Sequence, residues 1–270
     1  MGLSNRLSGS GRLAAAVCVS MMIMSLAPPV AGAQPAVPPL PPPPAPSAQP
    51  PVAPGPAPGP VPAAAPVTAP APGCPDVEVV FARGTTEAPG LGAMGQAFVD
   101  DLRSRLGGTT VGVYAVDYPA SPDFPTAVEG ITDASTHVQE MAMNCPDTKL
   151  VLGGYSQGAA VMGFVTTELI PDGVTASEVP APMPPDIANH VSAVTLLGTP
   201  SDRFMNVIKQ PAVTIGPLYE PKTIELCVPN DFVCSPGNDI GAHARYVSDG
   251  LVMQAADFAA GKVAEAAPDS

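Results

Sequence analysis

The distribution of proline restricts what this chain is able to fold into more than any other feature. Of 38 prolines in 270 residues, 20 fall before residue 73, and the stretch from Gln34 to Pro72 packs 18 into 39 residues with no charge of either sign. Proline fixes φ and removes a backbone donor, and the Ala, Val and Gly filling the rest of this stretch supply no large apolar side chains for a core. Residues 34–73 are therefore expected to be an extended polyproline II or disordered linker. Residues 74–270, 197 in all, are long enough to bury a core as one domain.

Residues 1–33 read as a secretory signal peptide. Arg6 and Arg12 precede an apolar run from Leu13 to Ala27, and Ala31-Gly32-Ala33 offers small residues for cleavage. The run is 15 residues, short of the roughly 20 needed to span a bilayer as an anchor. The expected location is outside the cell. There the linker, at about 3.1 Å per residue, could act as a stalk on the order of 100 Å long and associate the domain with the cell envelope.

Charge narrows the partners. All 24 acidic residues lie at or after Asp76, against nine basic residues in the same region, a net charge of −15 for the domain. Nucleic acid and anionic lipid are disfavoured on that ground. There is no sustained heptad to argue oligomerisation, and a monomer is expected.

Cys18 lies within the signal, leaving Cys74, Cys145, Cys227 and Cys234. An even number in an exported chain argues for two disulfides, although four cysteines allow three pairings. Cys227 and Cys234 would naturally close a small loop, which leaves Cys74 with Cys145. No C-x-x-C pair is present, so no metal site is expected.

Short apolar segments alternate with helical periodicity. Val77 to Ala82, Thr110 to Val116, Leu150 to Leu152, Val191 to Leu197 and Thr223 to Cys227 read as strands. Helices are expected around Met94 to Leu106, around Val128 to Met141, from Ala159 to Ile170, and from Tyr246 to Ala260, the last with Val247, Leu251 and Phe258 on one face. This alternation implies right-handed crossovers and a parallel sheet covered on both faces, an α/β fold.

The chemistry centres on Gly154-Tyr155-Ser156-Gln157-Gly158, a G-x-S-x-G placed between a strand and a helix, the context of a nucleophile elbow. So tight a turn leaves no room for side chains two positions either side of the serine. The following helix terminus supplies positive potential for an oxyanion. A base must come from His137, His190 or His243. His137 falls on a helix flank ahead of the serine and His190 reads as a surface residue before a strand. His243 follows the last strand, as the usual chain order of serine, acid, histidine requires. Asp231 and Asp239 compete as the acid. Asp231 is favoured because a Cys227–Cys234 bridge would restrain it.

At these residues the chain resembles a family. Pro146 to Gly158 looks like the serine signature of the cutinase family, Cys227-Val228-Pro229-Asn230-Asp231-Phe232-Val233-Cys234 resembles its acid signature, and Ala82-Arg83-Gly84-Thr85-Thr86-Glu87 is similar to its segment after the first strand. The resemblance extends from Cys74 to the last helix and is strongest toward actinobacterial cutinase-like proteins. It implies a single three-layer α/β-hydrolase domain with a five-stranded parallel sheet and two disulfides. It implies a Ser156, Asp231, His243 triad and an oxyanion hole at the backbone amides of Thr85 and Gln157. The spacing from Cys234 to His243 is about two residues longer than in the fungal pattern, which bears on the shape of the acyl pocket.

The implied activity is that of a secreted serine esterase acting on lipid or short- to medium-chain esters, with no cofactor. A phospholipase, a thioesterase, an acetylated-polysaccharide esterase or a non-catalytic envelope-displayed protein are the alternatives. Phe204, Met205, Val207 and Ile208 form either an apolar rim for an acyl chain or the inner face of a short helix. Gly90-Leu91-Gly92-Ala93-Met94-Gly95 matches G-x-G-x-x-G, but Arg83 to Pro89 separates it from the first strand, so no dinucleotide is expected.

Overall fold

A computed structural model describes residues 73–171 and 174–266. The signal and nearly all of the linker lie outside the described residues. Val77–Ala82 forms β1, buried along its whole length, as a strand covered on both faces must be. The element order continues α1 (Gly92–Arg105), β2 (Val111–Ala115), α2 (Ala127–Asn144), β3 (Lys149–Tyr155), α3 (Gln157–Val165), β4 (Val191–Leu197), α4 (Asp202–Val207), β5 (Thr223–Leu226) and α5 (Leu251–Glu265).

The five strands form one sheet in the order β2-β1-β3-β4-β5, and every pairing is parallel. Helices α1 and α5 cover one face, with Phe98, Leu102, Ala255 and Ala259 against Val79, Val151 and Ala193. Helices α2 and α3 cover the other, with Ala134, Val138, Val161 and Met162 against Val80, Leu152 and Leu196. The chain steps from β1 outward to β2 and then returns past β1 to β3, so the two crossovers leave on opposite faces. The carboxyl ends of β1 and β3 therefore bound a crevice, the place where open parallel sheets of this order bind ligands.

Strand positions agree closely with the sequence expectation, whereas two helices move. The apolar run after Ser156 reads as helix to Ile170, but α3 stops at Val165. Thr166 closes it, its N–H and Oγ1 both bonding the Gly163 carbonyl, and Pro171 bars any continuation. The closing helix starts at Leu251, not Tyr246, because Gly250 takes a left-handed φ of 78°. Val247, expected on one face of that helix with Leu251 and Phe258, precedes it and is 52% exposed. Strand β3 is longer than expected, because Gly153 and Gly154 pair with Phe81 and Ala82 of β1.

Two disulfides are formed, Cys74–Cys145 and Cys227–Cys234, with Cα separations of 5.6 and 5.9 Å. In the chain-entropy model such loops stabilise by about 4 and 2.5 kcal/mol respectively. Strand β1 also buries a carboxylate, Glu78, 7% exposed. Glu78 Oε1 accepts from His137 Nε2 at 2.7 Å, and Tyr114 stacks on the imidazole with ring centroids 3.5 Å apart. His137 is thus a partner for a buried carboxylate and not a free helix-flank residue.

All five tyrosines hold their protons more tightly than an ordinary phenol. Burial is the first cause in each, pushing Tyr114 and Tyr219 up to about 12 and the others higher still. The unfolded chain loses these protons near pH 10, so above that pH the folded state binds more protons than the unfolded one. The contribution is complete below pH 10 and is lost progressively as pH climbs through 12 and beyond. Each fully buried ring then removes up to about 1.4 kcal/mol per pH unit. Lys222, held below its ordinary value by burial, opposes this weakly. The urea midpoint is expected to hold between pH 8 and 9.5 and to fall steeply by pH 11; a midpoint independent of pH across that range contradicts the burial of these rings.

Candidate active site

Ser156 sits at the carboxyl end of β3 with φ 55° and ψ −118°, a conformation that costs a non-glycine residue on the order of 1–3 kcal/mol and persists only where its surroundings enforce it. The enforcement comes from both sides. The Ser156 N–H donates to the Leu197 carbonyl at 2.8 Å, and its own carbonyl accepts from Ala160 N–H at 3.1 Å. Glycines flank the turn of necessity. A Cβ on Gly154 would lie 2.2 Å from the Gly158 carbonyl oxygen, and one on Gly158 only 2.0 Å from that of Ala82.

The Ser156 hydroxyl lies 2.7 Å from His243 Nε2. His243 Nδ1 lies 2.7 Å from Asp231 Oδ2. The carboxylate has no exposure to solvent, so its remaining lone pairs must be met from within. Tyr246 OH donates to Oδ2 at 2.7 Å and Val233 N–H to Oδ1 at 2.9 Å. A hydrogen bond donated by Nδ1–H to the carboxylate fixes the tautomer that leaves Nε2 free to accept a proton. The imidazole is boxed by Tyr155, stacked at 5.1 Å, and by the edges of Phe232 and Tyr246, each 6.1 Å away. Tyr155 OH also donates to the His243 carbonyl at 2.5 Å.

Asp231 and His243 both come from the connection after β5. The Cys227–Cys234 bridge pins its first part, and Asn230 turns it with φ 67°. Arg203, from α4, donates to the carbonyls of Phe232, Ser235 and Gly237 at 3.0–3.2 Å. Asp239, the competing acid, is turned outward. It pairs with Arg245 at 3.1 Å, and that hydrogen bond holds its carboxyl below the usual range. His190 bonds the Pro146 carbonyl at 3.1 Å, remote from the serine in sequence and in element.

Thr85 and Gln157 lie on the same edge of the sheet as Ser156. Gly84 packs on Tyr155 so closely that a Cβ would fall 2.6 Å from the ring. Gln157 is the first residue of α3, so its N–H has no intrahelical acceptor, and among the described residues the Thr85 N–H makes no hydrogen bond. The segment between β1 and α1 is held by Arg83, 3% exposed, which donates to the carbonyls of Glu87, Val116 and Tyr118. Tyr118 OH returns a bond to the Arg83 carbonyl.

Glu87 explains the glycine-rich sequence that follows. Its carboxylate accepts from Gly84 N–H at 2.7 Å and Ala93 N–H at 2.8 Å, and a Cβ on Gly92 would collide with it at 2.4 Å. The amino terminus of α1, where a bound phosphate would sit in a dinucleotide fold, is filled by this side chain.

Arg83, Glu87, Arg203 and Tyr246 were not singled out in the sequence. Arg83, Arg203 and Tyr246 act across long sequence separations onto backbone or a carboxylate, and Glu87, though its partners Gly84 and Ala93 are near in sequence, acts on backbone N–H groups; none leaves a local period. The apolar segment after β4 divides between its two expectations. Met205 is 1% exposed and Val207 76% exposed, while Phe204 contacts both Phe124 and Phe232, at 6.3 and 5.7 Å between centroids.

Comparison with known proteins gives one consistent result. The cutinase family model matches residues 73–263. The chain is 58% identical to the probable carboxylesterase Culp5 of Mycobacterium tuberculosis over 64% of its own length and 98% of that protein's. It is 47% identical to the phospholipase Culp4 of the same organism, covering 71% of this chain and 80% of the relative. Among solved structures, a Trichoderma reesei cutinase bound to a phosphonate inhibitor superposes with a TM-score of 0.54 at 32% identity, over 70% of this chain and 77% of that one.

Proposed function

The chain belongs to the cutinase family and is a carboxylic ester hydrolase of cutinase type; from that premise we propose that Ser156, His243 and Asp231 carry the reaction and that the Thr85 and Gln157 amides form its oxyanion hole. Ser156 Oγ attacks the ester carbonyl as His243 Nε2 takes its proton. Asp231 stabilises the imidazolium that results. The Thr85 and Gln157 N–H groups hold the tetrahedral oxyanion, and His243 then protonates the departing alcohol. Water, deprotonated by the same imidazole, attacks the acyl-enzyme and releases the acid. The observation that carries this assignment is the unbroken pair of 2.7 Å contacts from Ser156 through His243 to a fully buried Asp231.

Export through residues 1–33, display on residues 34–73 at the cell envelope, and a monomeric state belong to the same proposal. Among the described residues no helix is long and apolar enough to cross a membrane. A phospholipid is the second substrate reading, favoured by 47% identity to a relative named as a phospholipase. A fluorophosphonate probe tests the site directly. One covalent adduct, located on Ser156 by peptide mass spectrometry, is the expected result; an adduct elsewhere or no adduct at all contradicts the assignment.

A further inference from the structure

Among the described residues, Tyr246 is the largest fully buried side chain, and its hydroxyl ends inside the loop that carries the acid. Three groups surround the oxygen: Asp231 Oδ2 at 2.7 Å, Cys234 Sγ at 3.2 Å and Val228 N at 3.4 Å. A phenol has one proton to give. The Val228 N–H is itself a donor, and Cys234 Sγ belongs to a disulfide, which carries no proton and accepts only weakly. The hydroxyl therefore donates to the carboxylate and accepts from Val228. Burial, and after it the bond to Asp231, push the phenol well above its ordinary range, so the hydroxyl stays a donor wherever the fold persists.

The surroundings hold the phenol in place. Gly198, just past β4 with φ 66°, leaves room for it, since a Cβ there would lie 2.7 Å from the hydroxyl oxygen and 3.1 Å from His243 Cε1. The Tyr246 carbonyl accepts from Leu251 and Val252 N–H at 2.9 and 3.2 Å, which fastens the residue to the start of α5. Asp231 has few other restraints. Its Oδ1 accepts from Val233 N–H at 2.9 Å, two residues along the same loop, and its Oδ2 faces His243 Nδ1 at 2.7 Å. The Val233 bond alone would leave the carboxylate free to pivot about Oδ1, carrying Oδ2 away from the imidazole. Tyr246 anchors that second oxygen from a different element. Tyr155 does the same for the base, its hydroxyl bonding the His243 carbonyl and its ring lying 5.6 Å from that of Tyr246.

We propose that Tyr246 is a positioning residue of the reaction: its hydroxyl holds Asp231 Oδ2 in line with His243 Nδ1, so that the imidazole presents Nε2 to Ser156. Tyr246 itself contacts neither the nucleophile nor the scissile ester and acts through Asp231. The proposal rests on the Ser156, His243 and Asp231 assignment and adds a fourth member to it.

Tyr246→Phe tests this, since it keeps the ring and removes only the oxygen. For p-nitrophenyl butyrate, kcat is expected to fall about 10- to 100-fold while KM stays within about twofold of the parent. A kcat within about twofold of the parent overturns the proposal, and so does a loss carried by KM. The same change in an Asp231→Asn background separates positioning from packing. There the charge that Tyr246 orients is gone, so adding Tyr246→Phe is expected to lower kcat by less than about threefold. A further loss equal to that in the parent background means that the hydroxyl serves the fold alone, and overturns the proposal. If Asp231→Asn by itself costs less than about tenfold, the acid assignment falls and the proposal with it. Should Tyr246→Phe fail to fold, the low-field proton spectrum of the parent decides. The Tyr246 hydroxyl proton is expected to exchange slowly and to show cross-relaxation with the His243 Nδ1 proton; absence of that cross-peak overturns the proposal.

Discussion

Ser156→Ala is expected to lower kcat for p-nitrophenyl butyrate by on the order of 10⁵- to 10⁶-fold, leaving only the acceleration due to binding and to the oxyanion donors. The size of the effect follows from the way the three groups act together. Without the hydroxyl there is no acyl-enzyme, so the proton relay through His243 to Asp231 has nothing to activate. The substitution removes one oxygen at the mouth of the site and leaves the backbone bonds to Leu197 and Ala160 in place. The variant should therefore match the parent in near-ultraviolet circular dichroism and in its urea midpoint. A variant that retains its fold and more than about one percent of parental kcat would rule out Ser156 as the nucleophile.

The second large effect is expected at Asp231→Asn, a loss of about 10⁴-fold in kcat with little change in KM. The amide nearly matches the carboxylate in shape, and its oxygen is able to accept from Tyr246 OH or Val233 N–H as the carboxylate does. Its nitrogen, however, is a donor and would place a hydrogen bond on Nδ1 of His243. The imidazole proton then moves to Nε2, the atom that faces Ser156 at 2.7 Å, and the base is no longer available. The negative charge that stabilises the imidazolium is lost as well. Asp239→Asn separates this account from its competitor, since Asp239 pairs with Arg245 at the surface; a loss at Asp239 comparable to that at Asp231 would reverse the assignment.

What was legible in the sequence was whatever local chemistry dictates. Strands β1 and β4 are buried on both faces and appear as mainly apolar runs, broken by Glu78 in the first and by Ser192 and Thr195 in the second, whose ends are marked by Arg83-Gly84 and Gly198-Thr199-Pro200. The serine turn announces itself by two glycines that steric contact with Gly158 and Ala82 makes obligatory. The cysteine bracket marks the acid loop because a seven-residue separation suits a local bridge. What was not legible is carried by contacts between segments far apart. Tyr246 reads as the first residue of an amphipathic helix, and only the fold reveals that its hydroxyl meets a buried carboxylate 15 residues earlier. In the sequence Arg83 marks only the end of a strand, yet it is the staple between the end of β1 and the residues beyond β2. The α3 boundary was missed because apolar residues continue past Val165, while the hydrogen bonds of Thr166 that end the helix leave no compositional trace.

Strand β5 has four residues, all partly or fully exposed, and a single neighbour in the sheet. The acid and the base both hang from the chain that follows it, whereas the nucleophile is rooted in the central strand. Local openings of a protein draw on its least protected elements first, and here two of the three proposed catalytic groups follow such an element in the chain. Loss of activity on heating is therefore expected to be a regional event in this molecule. It should begin as a detachment at one margin while the rest of the sheet keeps its cooperativity, with the short Cys227–Cys234 ring holding the detached segment near its point of return.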